Sequence, residues 1–194
     1  MAKILVACEF SQIVTRALRA AGHEAYSNDV LPTEGNPDWH IQGDAIEVSR
    51  SQHFDGMIAH PECTHLTLAG ARWFYDPRFP NKEQDREAAI EFWLKLWAAP
   101  VELKAFENPQ PLGYVMRRVG RYDQKFQPWN FGDNETKGVC LWLRGLKPLV
   151  PSVVVKPPVV RARVHKMGPG PNRKRERSRF FNGIALAMSE QWFQ

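Results

Sequence analysis

Short unbroken apolar runs alternate along this chain with longer stretches in which apolar side chains return every three or four residues. The first kind reads as buried strand and the second as helix packed on one face. Residues 3–8 form the first apolar run, after which Ile13, Val14, Ala17, Leu18 and Ala21 keep helical spacing, with Ser11 as the expected cap and Gly22 as the stop. Residues 24–27 predict a second strand, and Asp29 sits just past its end. A turn-rich loop over 31–38 leads to a short strand at 39–42 and then to Gly43-Asp44, where Asp44 can cap a helix opening at Ala45. The run Gly56-Met57-Ile58-Ala59 stops abruptly at His60-Pro61, as a buried strand meeting a stiff turn would. Ala89, Ile90, Trp93, Leu94 and Trp97 mark a long amphipathic helix over 83–97, ended by Pro100. Residues 101–106 predict a strand that finishes in Glu107-Asn108-Pro109. A late strand near 139–143 belongs to an antiparallel hairpin, and Ile184, Ala185, Ala187 and Met188 mark a last helix within 180–192.

Strands that alternate with helices build a mostly parallel sheet with helices on both faces. The expected organisation is a single domain over residues 1–194, without internal repeats. It carries a Pro-rich, basic insertion at about 145–180 and a C-terminal docking helix. A hydrophobic content of 43% with 24% charged residues is that of a globular protein with a proper core. The net charge of +5 favours a polyanionic partner, nucleic acid rather than membrane, since no convincing basic amphipathic helix is present. The three cysteines, Cys8, Cys63 and Cys140, form no CxxC pair, so neither a disulfide framework nor a cysteine-rich zinc site is expected. With no signal-peptide pattern and no apolar run that could span a bilayer, the expected location is the cytoplasm.

Cys63 falls on a loop at the carboxyl end of a strand, the place where open α/β sheets bind their ligands. It reads as a candidate nucleophile or as a small, half-buried loop residue. Glu107 and Asn108 reach the same rim from the next strand. Asp29 can accept from ribose hydroxyls or solvate a loop, and Asp44 can accept from an adenine amino group or cap its helix. The loop over 65–82 interleaves Arg72, Trp73, Phe74, Tyr75 and Arg78, side chains suited to unstacked bases and phosphates and equally to packing over a core edge. A second basic patch comprises Arg117, Arg118 and Arg121. Residues 161–179 carry eight Lys or Arg against one Glu, among them Arg161, Arg163, Lys174 and Arg175. Such a tract is a solvated segment or a clamp for phosphates. His60-Pro61-Glu62 meets the first half of the zinc-dependent base deaminase pattern, but the cysteine pair of its second half is missing. His60, Cys63 and His65 are too crowded for a zinc site, and no metal is expected.

With these residues in order, the chain resembles the DNA cytosine-5 methyltransferases, and more closely a set of short phage-encoded methyltransferase-like proteins. Pro61-Glu62-Cys63 matches the family's proline and cysteine motif with Glu62 in place of the second proline, and Glu107-Asn108-Pro109 matches its Glu-Asn-Val motif. Phe131-Gly132 through Lys137 is similar to the segment bearing a glutamine and arginines, and Asn182-Gly183-Ile184-Ala185 to the last motif. The resemblance implies a Rossmann-like class I S-adenosylmethionine-dependent methyltransferase fold, mostly parallel, with an antiparallel hairpin at one edge. It implies methyl transfer to cytosine C5 through a Cys63 adduct, with Glu107, Asn108 and Lys137 in support. S-adenosylmethionine is then expected at Ala7, Cys8, Glu9, Phe10 and Ser11, with Asp29 and Val30 at the ribose, Asp44 and Ala45 at the adenine, and His60 and Pro61 alongside. The implied partner is DNA or another cytosine-containing nucleic acid or nucleotide, in the host cytoplasm if the chain is phage-encoded, with a homodimer or a helper protein to complete recognition.

Three departures from the family pattern stand out. No glycine precedes Gly22, so the first motif lacks its usual close-approach residues, and Gln12 stands where one is expected. In the later motif Lys137 and Val139 stand where arginines are expected, and Glu135 where a glutamine is. Only residues 145–180 are left for target recognition. These departures keep a second expectation open, that of a catalytically degraded methyltransferase fold acting as a nucleic-acid-binding or decoy module.

Overall fold

The computed structural model of this 194-residue chain describes residues 1–67, 76–78, 80–154, 156, 157, 159–163, 167, 168, 170 and 173–194. In chain order its elements are β1 (Lys3–Ala7), α1 (Ile13–Ala20), β2 (Glu24–Asp29), β3 (His40–Gln42), α2 (Ala45–Ser51), β4 (Gly56–Ala59), α3 (Lys82–Trp97), β5 (Leu103–Pro109), α4 (Gly113–Val119), β6 (Gln124–Phe126), β7 (Val139–Arg144), α5 (Arg173–Ser178) and α6 (Asn182–Gln191). The strands form one seven-stranded sheet in the order β3-β2-β1-β4-β5-β7-β6. β1 to β5 run parallel, while β7 lies antiparallel between β5 and β6. This is the mostly parallel α/β architecture anticipated from the sequence, with its antiparallel pair at one edge.

The central strands are apolar on both sides because both sides are covered. Ile4, Val6, Ile58 and Ala105 face α1 and α6, where Leu18, Ile184 and Met188 complete one half of the core. Leu5, Ala7, Met57, Ala59 and Phe106 face the opposite way, toward Ile90, Trp93 and Leu96 of α3. Trp93 meets Phe106 and Trp142 edge to face, with ring centroids 5.1 and 4.8 Å apart. Lys104 is buried within β5, and its ammonium donates to the carbonyls of Trp97 and Ala99, each at 2.6 Å, so it satisfies carbonyls left open at and just past the end of α3. Burial pulls its pKa down to about 8.

Three local expectations are corrected. Ser11 does not cap α1. The buried Glu9 carboxylate does, accepting from the backbone N–H groups of Val14 (2.7 Å) and Thr15 (3.2 Å) and from the Thr15 hydroxyl (2.7 Å). A negative charge suits the positive end of a helix, and the left-handed turn at Gln12 (φ 57°) folds the chain so that Glu9 reaches it. β2 runs on through Asp29, and β5 continues through Glu107 and Asn108 to Pro109, because β7 pairs with it along that whole length. Among the described residues no helix is long and apolar enough to cross a membrane.

Gly183, in the first turn of α6, lies in close contact with the 3₁₀ turn Pro128–Phe131. A Cβ at this position would lie 1.9 Å from the Phe131 carbonyl oxygen and 2.8 Å from the Asp133 carboxylate, which accepts the Gly183 N–H at 3.0 Å. Because the first obstacle is backbone, Gly183→Ala is expected to cost about 2 kcal/mol and to lower Tm by roughly 4–8 °C. Thermal unfolding followed by circular dichroism measures this, and an unchanged Tm would refute the tight packing of α6 on the turn.

Candidate active site

In this sheet the chain moves from β1 outward to β2 and later returns on the other side of β1 as β4. Between β1 and β4 the order therefore reverses, and the carboxyl ends of the two strands flank the crevice that such a reversal creates. Ala7 pairs with Ala59, and Ala59 pairs with Phe106. One step beyond that row, His60 and Glu107 come opposite each other, on the same side of the sheet as Ile58 and Ala105. The imidazole Nδ1 of His60 lies 3.2 Å from Glu107 Oε2, both side chains being largely buried. The His60 N–H donates to the Ala7 carbonyl at 3.0 Å, and Asn108 Nδ2 donates to the Pro61 carbonyl at 2.7 Å. Beyond this clamp the chain turns tightly, with the Cys63 carbonyl accepting from Leu66 N–H and the Thr67 hydroxyl, while Leu112 N–H ties Leu66 to the exit of β5. Cys63 is thus exposed on a short loop fixed at both ends. Among the described residues Glu107 Oε1, His60 Nε2 and Asn108 Oδ1 are buried without a hydrogen-bond partner.

The same groups govern one another's charge. Although Cys63 is exposed as a residue, the protein crowded around its thiol makes desolvation the main influence, pushing its pKa up. Lys137 opposes this, and the carboxylates of Glu107 and Glu62 add to it. Burial also pushes Glu107 upward, but the His60 hydrogen bond and the Lys137 charge outweigh it and hold the carboxyl below its usual range. The Lys137 ammonium stands 5.5 Å from the centre of the Phe181 ring, and the Phe180 ring tilts over His60 at 4.6 Å between centroids. The entry to α6 therefore roofs one side of the rim.

On the β1 side the loop adopts left-handed backbone at two non-glycine residues, Cys8 (φ 60°) and Gln12 (φ 57°). The shape that glycines give elsewhere is kept here because the Gln12 side chain turns into the 33–36 loop. There its amide donates to Ser27 Oγ at 3.0 Å and to the Asn36 carbonyl at 2.8 Å, and its oxygen accepts from Asn36 N–H at 2.8 Å. Asp29 is half-buried, and desolvation raises its pKa. Cys8 lies within reach of the Asp29 and Asp44 charges, and burial together with those carboxylates pushes its thiol up. Val30 and Leu31 follow Asp29 with 68% and 53% of their surface exposed. A desolvated carboxylate beside bare apolar surface, at the carboxyl end of the second strand, fits the ribose and base of a nucleoside. These residues therefore fit the nucleoside part of S-adenosylmethionine.

The structure gathers the residues singled out in the sequence into two adjoining groups. Cys63, Glu107, Asn108, Lys137, His60 and Pro61 form one, and Ala7, Cys8, Phe10, Ser11, Asp29, Val30, Asp44 and Ala45 form the other. Asp44 also caps α2 by accepting from Ile46 and Glu47, and Glu9 is spent on the cap of α1. Arg161 is joined through its backbone to Thr136, next to Lys137. Arg175 lies 5.8 Å from the centre of the Phe10 ring and pairs with Glu34, as does Arg179 at 2.6 Å. Arg117 and Arg118 are exposed on α4, where Arg118 bonds Glu87 and the Tyr114 hydroxyl; Arg163 is exposed. Arg72, Trp73 and the Lys174 side chain lie outside the described residues. Sequence reasoning missed the contact of His60 with Glu107 and the stacking of Phe180. The signal for the first was present, since both apolar runs end in a polar residue followed closely by proline. Among the described residues no cluster of three or more metal-ligating side chains occurs.

No family model and no curated protein matches the chain. Among solved structures it is similar to a provisionally assigned DNA modification methyltransferase encoded within an E. coli prophage, with 12% identity and a TM-score of 0.48 over 80% of this chain and 52% of that one. The chain thus spans about half the length of that protein.

The rim's electrostatics can be read from the pH dependence of Cys63 alkylation by iodoacetamide, followed by peptide mass spectrometry. The midpoint is expected above the ordinary thiol value of about 8.5. Lys137→Met removes the stabilising cation and should move it further up, whereas Glu107→Gln removes a repelling anion and should move it down. A wild-type midpoint below the ordinary value, or opposite signs in the variants, would contradict this arrangement.

Proposed function

We propose that this chain is an S-adenosylmethionine-dependent methyltransferase of the phage type that acts on C5 of cytosine in DNA through a cysteine adduct. The observation that carries the reading is the convergence of Cys63, Glu107 and Lys137 beside the ends of two adjacent parallel strands. Cytosine C5 is a weak nucleophile and gains strength only once a nucleophile has added at C6. The Cys63 thiolate forms the S–C6 bond, Glu107 holds the N3 edge against which charge develops, and Lys137 favours the thiolate. C5 then takes a methyl group, its proton is lost to a base, and the S–C6 bond breaks to return the thiolate. Bound S-adenosylmethionine supplies the electrophilic methyl. The groups that would hold it are the Ala7 to Ser11 backbone, Asp29 with Val30, Asp44 with Ala45, and Pro61. A paired base cannot be reached inside a duplex, so the target is flipped out or single-stranded. Arg161 and Arg175, beside the two halves of the site, are suited to phosphates. Residues 1–194 act as a single domain in this reading, with 145–180 as a reduced recognition insertion and α6 as the docking helix.

A second reading is a nucleic-acid-binding module without turnover. It is favoured by Glu9, whose carboxylate already occupies the N–H groups at the start of α1. One substrate panel separates the two. Labelled S-adenosylmethionine is offered with duplex DNA, single-stranded DNA, RNA and free nucleotides. Transfer to cytosine C5 is expected, falling by at least about 10³-fold in Cys63→Ser and in Glu107→Gln. DNA binding without transfer to any of these would overturn the enzyme reading in favour of the second.

A further inference from the structure

Glu107 enters the site already half-engaged. Its Oε2 meets His60 Nδ1 at 3.2 Å, while Oε1 is buried and has no hydrogen-bond partner among the described residues. His60 is itself held by three neighbours: its N–H on the Ala7 carbonyl, Glu107 at one ring edge, and the Phe180 ring across its face. Among the described residues its Nε2 also lacks a partner, so a proton there would be buried without an acceptor. A carboxylate only accepts, so the ring meets Oε2 through its Nδ1–H. An unpaired carboxyl oxygen costs free energy unless a ligand completes it. A cytosine edge does so, because its N3 and 4-amino group offer an acceptor beside a donor.

We propose that His60 is a positioning residue: its Nδ1–H fixes Glu107 Oε2, so that Oε1 alone is presented to N3 of the cytosine ring. This rests on the reading above. An ionised carboxylate cannot donate to N3, so one proton is taken from solvent as the ring enters. It resides on Oε1, passes to N3 as the S–C6 bond forms and the ring electrons move toward N3, and returns to Oε1 when that bond breaks. His60 keeps its own proton throughout. The charged groups facing the pair are Lys137, which acts on Glu107, and beyond it the Cys63 thiol with Glu62.

Two measurements test this, the first of them independent of turnover. In protein carrying [δ-¹³C]glutamate, assigned with Glu107→Gln, the Glu107 carboxyl should titrate below the ordinary value of about 4.3. In His60→Phe, burial is opposed by Lys137 alone, so the titration should move upward. In His60→Asn, whose Nδ2–H replaces Nδ1–H, it should stay near wild type. On cytosine-containing DNA, His60→Phe should lower kcat about 100-fold, with KM for S-adenosylmethionine changed less than about twofold, and His60→Asn should recover to within about tenfold of wild type. If His60→Phe fails to fold, His60→Gln takes its place, since its amide reaches the Nε2 position and should behave as a loss. An unmoved Glu107 titration overturns the proposal, as does an unaffected kcat, or a loss carried wholly by KM for S-adenosylmethionine. Absence of transfer by the wild-type protein would sink the enzyme reading, while the titration still decides whether His60 governs Glu107.

Discussion

The row Ala7, Ala59, Phe106 across β1, β4 and β5 is the constraint on which the rim depends. Side chains alternate faces along a strand, so a slip of one residue between β4 and β5 would turn Glu107 away from His60 and send Phe106 out of its aromatic cluster. The core therefore enforces the site. Phe106 packs against Trp93 and Trp97 with centroids 5.1 and 4.9 Å apart, and its fit on that face decides where the next residue, Glu107, points. Asn108 then returns to the Trp93 side and uses its amide to hold the Pro61 carbonyl, which fixes the loop bearing Cys63. One short stretch of β5 thus performs packing, orientation and loop anchoring in consecutive residues.

The β1 loop illustrates how the same backbone shape is reached without the usual residue. A left-handed conformation at a non-glycine residue is disfavoured by contacts of its Cβ. Gln12 offsets that cost with three hydrogen bonds, a buried one to Ser27 and two part-buried ones to Asn36, each of the order of 1 kcal/mol net. Those bonds also tie the 33–36 loop to α1, and Gly35 leaves room for the arrangement, since a Cβ there would meet the Gln12 amide oxygen at 2.1 Å. Gln12 and Gly35 are therefore one device in two places. A glycine at 12 would relax the turn and lose the tether.

Much of the fold was legible because its strands are buried on both faces and its helices are amphipathic. The β4 boundary, the Asp44 cap, the α3 span and the late hairpin follow from runs and spacings within a few residues. What local pattern could not carry was pairing at a distance. His60 and Glu107 are 47 positions apart, and their contact depends on a register set by packing. The reach of β5 through Pro109 likewise depends on β7 lying beside it, and the choice of Glu9 over Ser11 as cap depends on the turn at Gln12. A longer side chain at a more distant position outcompeted the residue that a cap rule selects.

The charge pattern of the rim links recognition to reactivity in the proposed reaction. At rest, the Cys63 thiol sees two carboxylates, Glu107 and Glu62, against the Lys137 ammonium, and desolvation already disfavours its thiolate. In the proposed reaction the sulfur is therefore held as the thiol until the ring arrives. When cytosine enters, the proton taken up on the Glu107–N3 contact removes one of the two opposing negative charges, and the Lys137 field is then opposed by Glu62 alone. Each unit by which the thiol pKa falls corresponds to about 1.4 kcal/mol of stabilisation of the attacking thiolate. In the proposed reaction, binding of the correct ring edge thus favours the thiolate that attacks it. A pyrimidine presenting an N–H at position 3 needs no such proton, leaves the Glu107 charge in place, and finds the thiol still masked.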